Sequence, residues 1–93
     1  MSEVDVACHA AGSDWRCDVT VDASGRRYRH QVDVRAGDLV RLDPDAADPV
    51  DLVRRSFAFL LEREPPSSIL GSFDLLVIAR YFPEYEQKIR RHG

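Results

Sequence analysis

Lysine is nearly missing from this chain: Lys88 stands alone against twelve arginines. That imbalance reads mainly as a high-GC coding bias, although a demand for guanidinium forks would leave the same mark. Long apolar runs are missing too. None approaches the roughly 18 residues that span a bilayer, so no membrane helix is expected. The first residues, Met1-Ser2-Glu3-Val4-Asp5, are acidic where a secretory signal is basic, and alternation follows them, so the cytoplasm is the expected location. Cysteine is limited to Cys8 and Cys17, too few for a disulfide-dense secreted scaffold. The five glycines are scattered and form no phosphate-cradling loop. Positive charge is not in surplus either: the formal net charge is −3, which gives the chain as a whole no pull on nucleic acid.

What remains is a 93-residue chain of ordinary globular composition, 44% hydrophobic and 31% charged, enough for one core and one domain. Its stability is expected at roughly 5–10 kcal/mol. The character of the chain changes near Gly37. Before it, apolar and polar residues alternate. After it, apolar residues recur at helical spacing. The expected organisation is a single domain with a β part at 1–36, an acidic connection at 37–48 and a helical part at 49–93.

In the first part, Trp15, Cys17, Val19 and Val21 alternate with charged or polar neighbours, as do Tyr28, His30, Val32 and Val34. Runs of period two are half-buried strands. Ala23-Ser24-Gly25-Arg26 between them is a turn, with Gly25 free to take a positive φ. Both apolar sets must face one side, so paired positions must sum to an odd number. A turn centred on Ser24-Gly25 sets Val21 opposite Tyr28, Val19 opposite His30, Cys17 opposite Val32 and Trp15 opposite Val34. The other face then pairs Asp22 with Arg27 and Arg16 with Asp33. Both faces agree, and such pairs contribute roughly 0.2–1 kcal/mol each. Val4, Val6 and Cys8 suggest a third strand, with Ala10 to Asp14 as its loop and Cys8 opposite Trp15. A two-stranded hairpin alone would be marginal.

Asp38 is a candidate cap for one short helical turn at Ala36–Leu42. Asp48, Pro49 and Asp51 mark the start of a longer helix. Val53, Phe57, Leu60 and Leu61 form its apolar stripe, and Leu52, Ser56, Phe59 and Arg63 a second one. Pro65-Pro66 ends it. Ser67 to Leu70 reads as a short helical turn, broken by Gly71. Asp74 caps a helix over Leu75 to Tyr81, and Pro83 either kinks it or opens another. Glu84/Lys88 and Glu86/Arg90 stand at i, i+4, and Arg90, Arg91 and His92 suit a helix C-terminus. The fold class is therefore α+β. An N-terminal antiparallel β-meander of two to three strands packs Trp15, Val19, Val32 and Val34 against C-terminal helices.

The stretches Ser56-Phe57-Ala58-Phe59-Leu60-Leu61-Glu62-Arg63-Glu64-Pro65, Ser68-Ile69-Leu70, Phe73-Asp74-Leu75 and Ile78-Ala79-Arg80-Tyr81-Phe82-Pro83-Glu84-Tyr85 carry a resemblance. Over roughly its last forty residues the chain resembles a family of small uncharacterised bacterial proteins of the high-GC Gram-positive type. The resemblance implies a free-standing intracellular domain, and no activity or catalytic residue to carry over.

Chemical motifs are sparse. Cys8, His9, Cys17 and His30 lack the paired spacing of a zinc site, and cysteine between valines on a strand is ordinarily a small core residue. With Cys8 opposite Trp15, Cys8 and Cys17 are diagonal at roughly 7 Å, too far for a disulfide. No serine sits in a nucleophile elbow and no histidine has a catalytic setting, so the protein is not expected to be an enzyme, and no cofactor or small-molecule substrate is expected. Arg26-Arg27-Tyr28-Arg29-His30 is a local basic cluster, the basis for an alternative reading as a nucleic-acid-associated protein. Its charge-pairing with Asp22 weighs against that. A metal-binding or enzymatic domain is the more remote alternative.

The residual signal is a surplus of aromatic and arginine residues on the helices. Phe59 lies roughly 160° from Phe57 around the helix, so one thin core does not take both equally. Arg80, Tyr81 and Tyr85 gather near Pro83. These residue types are enriched at binding hot spots. The expected function is a small non-enzymatic interaction domain, docking a protein partner or a second copy through its helical face. The anchors would be Phe59, Arg63, Arg80, Tyr81 and Tyr85.

Overall fold

Alternation across two tight turns gives the meander its shape. The computed structural model describes residues 3–90, so the expectations for Arg91 and His92 lie outside the described residues. Strands β1 (Glu3–Ala11), β2 (Asp14–Ala23) and β3 (Arg26–Val34) run antiparallel in the order of the chain. The β2–β3 register is the one expected from a turn centred on Ser24-Gly25: Val21 pairs with Tyr28, Val19 with His30, Cys17 with Val32 and Trp15 with Val34. Ser24 and Gly25 both take positive φ, 53° and 77°, the two-residue turn whose twist matches that of the strands. On the outer face Arg16 Nε donates to Asp33 at 3.1 Å and Arg27 Nε to Asp22 at 2.9 Å.

The third strand is present, in a different register. Its turn is only Gly12-Ser13, with Gly12 at φ 65°, so Ala10 and Ala11 belong to β1 and Asp14 to β2. Compared with the five-residue loop expected from sequence, pairing moves by two positions. A shift of two preserves the faces but changes the partners. Cys8 therefore stands opposite Cys17, and Trp15 opposite Ala10. The two cysteines are joined by a disulfide, with Cα atoms 4.0 Å apart. The exclusion of this bond from sequence is thus corrected: it rested on the loop length.

Ala36–Leu42 forms helix α1. Asp38 does not cap it; Asp14 Oδ1 accepts the Ala36 N–H instead at 3.0 Å, and Asp38 turns to Arg41. Helix α2 (Val50–Leu61) begins where Asp48 Oδ1 accepts the Val50 N–H at 3.0 Å. Arg55 on α2 ties the connection down through the buried carboxylate of Asp43 at 2.8 Å.

After a short turn at Pro66–Ser68, Ser72–Asp74 forms β4, parallel to β3 and on its open side. Helical geometry was the only structure expected near Asp74. Three residues with one apolar member carry no periodicity, so the strand is set by tertiary contact. The Gln31 N–H donates to Gly71 O at 2.8 Å and the Leu75 N–H to Asp33 O at 2.9 Å, framing the strand. Asp74 still serves the following turn, accepting the Leu76 N–H at 3.1 Å. Helix α3 is Val77–Tyr81 and α4 is Tyr85–Ile89. Phe82 is extended before Pro83, so the proline separates two helices and kinks neither. Glu86 meets Arg90 at 3.8 Å, whereas Glu84 meets Arg63 at 3.8 Å and no Lys88 pair is found among the described residues.

The core lies between the sheet and the helices. Val19, Val21, Val32 and Val34 on the sheet are buried against Leu42, Leu52, Val53, Phe57 and Leu75. The Phe57 ring bridges the layers, 5.3 Å from His30 and 6.2 Å from Phe73. Burying such a ring contributes roughly 1.5–3 kcal/mol. The opposite face of the sheet is charged and open to solvent.

Candidate functional site

The two apolar stripes of α2 have different destinations, and both are interior. Val53, Phe57 and Leu60 of the first and Leu52, Ser56 and Phe59 of the second are all buried; Phe57 meets His30 of the sheet, while Ser56 and Phe59 meet Tyr85 of α4. The Phe59 ring packs edge-on against Tyr85 at 5.4 Å and Phe82 at 5.8 Å. Tyr85 is fully buried. Its hydroxyl donates to Ser56 Oγ at 2.6 Å, and that hydroxyl donates to Leu52 O at 2.7 Å. Burial pushes the Tyr85 phenol well above its ordinary value, against the smaller opposing effects of Ser56 and the Arg55 charge. Phe59 and Tyr85 are therefore core residues and are withdrawn as surface anchors. The second stripe is filled by the chain itself.

The other three expected residues remain at the surface. The Arg63 guanidinium lies over the Phe59 ring, 3.6 Å from its centroid, and donates to Phe59 O at 3.0 Å. A cation so placed gains roughly 0.5–1 kcal/mol and closes the end of the aromatic cluster. Arg80 is exposed, and Tyr81 is 68% exposed, unusual for a large aromatic ring.

Beside Tyr81 the surface opens into an apolar groove of about 340 Å³, at the small end of the range for ligand sites. Its buried walls are Leu60, Ile69 and Ile78, with half-buried Phe73 and Phe82. Leu70, 49% exposed, and Tyr81 flank it, and Glu64 supplies a carboxylate. The local sequence explains the shape. Ile69 and Leu70 are consecutive in an extended segment between the Pro66 turn and Gly71, so one turns in and the other out. Leu70 was not among the expected anchors. The signal for it was that adjacent apolar pair, too short to bury both members.

The chemistry-bearing groups elsewhere are engaged. Cys8 and Cys17 hold each other. His30 Nδ1 donates to Leu70 O at 2.8 Å, and its buried Nε2 has no partner among the described residues. Among the described residues no cluster of three His, Cys, Asp or Glu is placed to hold a metal ion. In the basic hairpin, Arg27 is committed to Asp22, whose hydrogen bond and charge raise the Arg27 pKa further. Among the described residues no helix is long and apolar enough to cross a membrane.

The structure thus defines a class: a small α+β domain with a four-stranded mixed sheet, helices on one face and an apolar surface groove. Comparison with protein-family models, curated proteins and solved structures finds no match for the chain.

Proposed function

We propose that this domain is a non-enzymatic protein-interaction module whose groove, flanked by Leu70 and Tyr81, takes an apolar side chain of a partner protein. The observation behind this reading is the pairing of two large exposed hydrophobic residues with a concave apolar floor. Exposed hydrophobic groups beside a buried pocket are the usual form of a docking anchor, and arginine and tyrosine are favoured there. Arg80 and Arg63 supply charge nearby.

The test uses Tyr81→Arg and Leu70→Asp in pull-downs from the source cells. Both positions are exposed, so the melting temperature should hold within a few degrees while a specifically captured protein is lost. Capture that survives both substitutions would remove the groove from the reading. Phe59→Ala is unsuitable as a probe, because it opens the core.

The proposed compartment is the cytoplasm, and the Cys8–Cys17 bond, of a kind that persists in oxidising surroundings, is the feature that weighs against it. Thiol trapping in freshly lysed cells should then find the dithiol. Recovery of the bonded form alone would place the protein in an oxidising compartment.

A further inference from the structure

β1 is the long outer edge of the sheet; α2 packs against it, and its outward backbone groups have no partner in the described chain. The opposite edge is the three-residue β4. No hydrogen bond from any other described element reaches the outward groups of β1. None of its nine residues is fully buried; Val4, Val6 and Cys8 are partly buried on the helical side, whereas their counterparts on β2 are fully so. The strand is EVDVACHAA, paired without a bulge and without proline or lysine, so Glu3 and Asp5 at one end are the charges that blunt this edge.

The direction of its free groups can be read from the β1–β2 ladder. Opposed residues in an antiparallel pair alternate between a wide hydrogen-bonded and a close non-hydrogen-bonded spacing of about 4.5 Å. The 4.0 Å Cα separation of Cys8 and Cys17 marks them as a close pair. The two-residue turn, closed by Ala11 and Asp14, gives the same parity. The N–H and C=O groups of Val4, Val6, Cys8 and Ala10 therefore point away from β2.

We infer that two copies of this chain pair β1 to β1 antiparallel about a two-fold axis at Ala7, joining their sheets into one continuous sheet. This inference is independent of the groove, which lies on other elements. The register that engages the whole strand sets Glu3 against the partner's Ala11, Val4 against the partner's Ala10, Asp5 against the partner's His9 and Val6 against the partner's Cys8. Every outward backbone group then finds a partner, and the partly buried apolar side chains of Val4, Val6 and Cys8 lose what exposure they keep. Asp5 and His9 meet in close, non-hydrogen-bonded pairs, once on each side of the axis, so the full-length register sets a carboxylate beside an imidazole that can donate a hydrogen bond to it. Ala7 on the axis is small. Helix α2, which packs against β1, is brought beside its own copy. Its exposed side carries Arg54 and Ala58, with Glu62 one turn further on at its C-cap, a small residue between opposite charges, and Arg54 and Glu62 form no ion pair among the described residues. That pattern also matches an antiparallel copy.

Sedimentation velocity of the full chain from micromolar to millimolar concentration should show a reversible dimer, with amides of Val4, Val6, Cys8 and Ala10 gaining exchange protection as it forms. Ala7→Lys sets two lysines together on the axis and leaves the exposed outer face of the monomer intact, so it should give a folded monomer. His9→Asp should weaken the dimer by about tenfold, and Asp5→His with His9→Asp should restore it. Tyr81→Arg should have no effect on it. A monomer throughout the range, or a dimer that ignores Ala7→Lys, overturns the inference. A dimer abolished by Tyr81→Arg and retained in Ala7→Lys would overturn it in favour of the groove.

Discussion

Ser24 occupies a left-handed backbone position at φ 53°, a conformation that costs a residue with a β-carbon about 1–2 kcal/mol. Asparagine tolerates it and completes the Asn-Gly pair favoured by this turn. Ser24→Asn should therefore raise stability by about 0.5–1 kcal/mol, read as a higher urea midpoint at unchanged slope. Tyr85 makes a different point. Its hydroxyl ends a buried chain through Ser56, so Tyr85→Phe should cost about 0.5–1.5 kcal/mol at neutral pH. Above pH 10 the unfolded phenol ionises while the buried one keeps its proton. The unfolded state then binds fewer protons, and stability falls as pH rises. Melting temperatures between pH 10 and 12 should decline more steeply in the parent than in Tyr85→Phe; equal slopes would show that Tyr85 carries none of the alkaline sensitivity.

Among the elements, the hairpin of β2 and β3 was legible to the residue, because the faces fixed the parity of pairing and the Ser24-Gly25 turn fixed the register. β1 was legible as a strand but not in register. Its far end, Ala10-Ala11-Gly12-Ser13-Asp14, has no apolar alternation to separate strand from loop, and the length of that turn decides which residue meets Cys17. β4 was invisible, since its pairing partner is supplied by the fold. On the helices, Phe59 and Tyr85 looked like surplus aromatic surface because their mutual contact spans α2 and α4, which no local pattern reports. The disulfide gives the testable consequence. It closes a loop with a sequence separation of 9. By chain entropy such a bond stabilises by about 2–3 kcal/mol. Urea unfolding with and without dithiothreitol should differ by that amount, and coincident curves would show that the turn alone already closes this loop.

For the molecule as a whole, Phe57 is the point where the meander, α2 and β4 converge. Phe57→Ala should cost about 3–5 kcal/mol, a large part of the total for a domain of this size. The loss should appear in one cooperative transition, because a single core is shared by both parts of the chain. Separate melting of sheet and helices, seen as a mismatch between tryptophan fluorescence and far-ultraviolet circular dichroism, would contradict that.

The parallel strand has one more consequence, for how the protein is made. As the chain leaves the ribosome, the meander is complete once Val34 emerges, yet the far side of β3 stays bare until Ser72–Asp74 follow. During that interval the nascent sheet has two sticky borders, and only the later-made segment closes one of them. Slowed translation across the acidic connection should therefore favour aggregation or chaperone capture of this chain, a hazard set by the distance along the message between a strand and its neighbour.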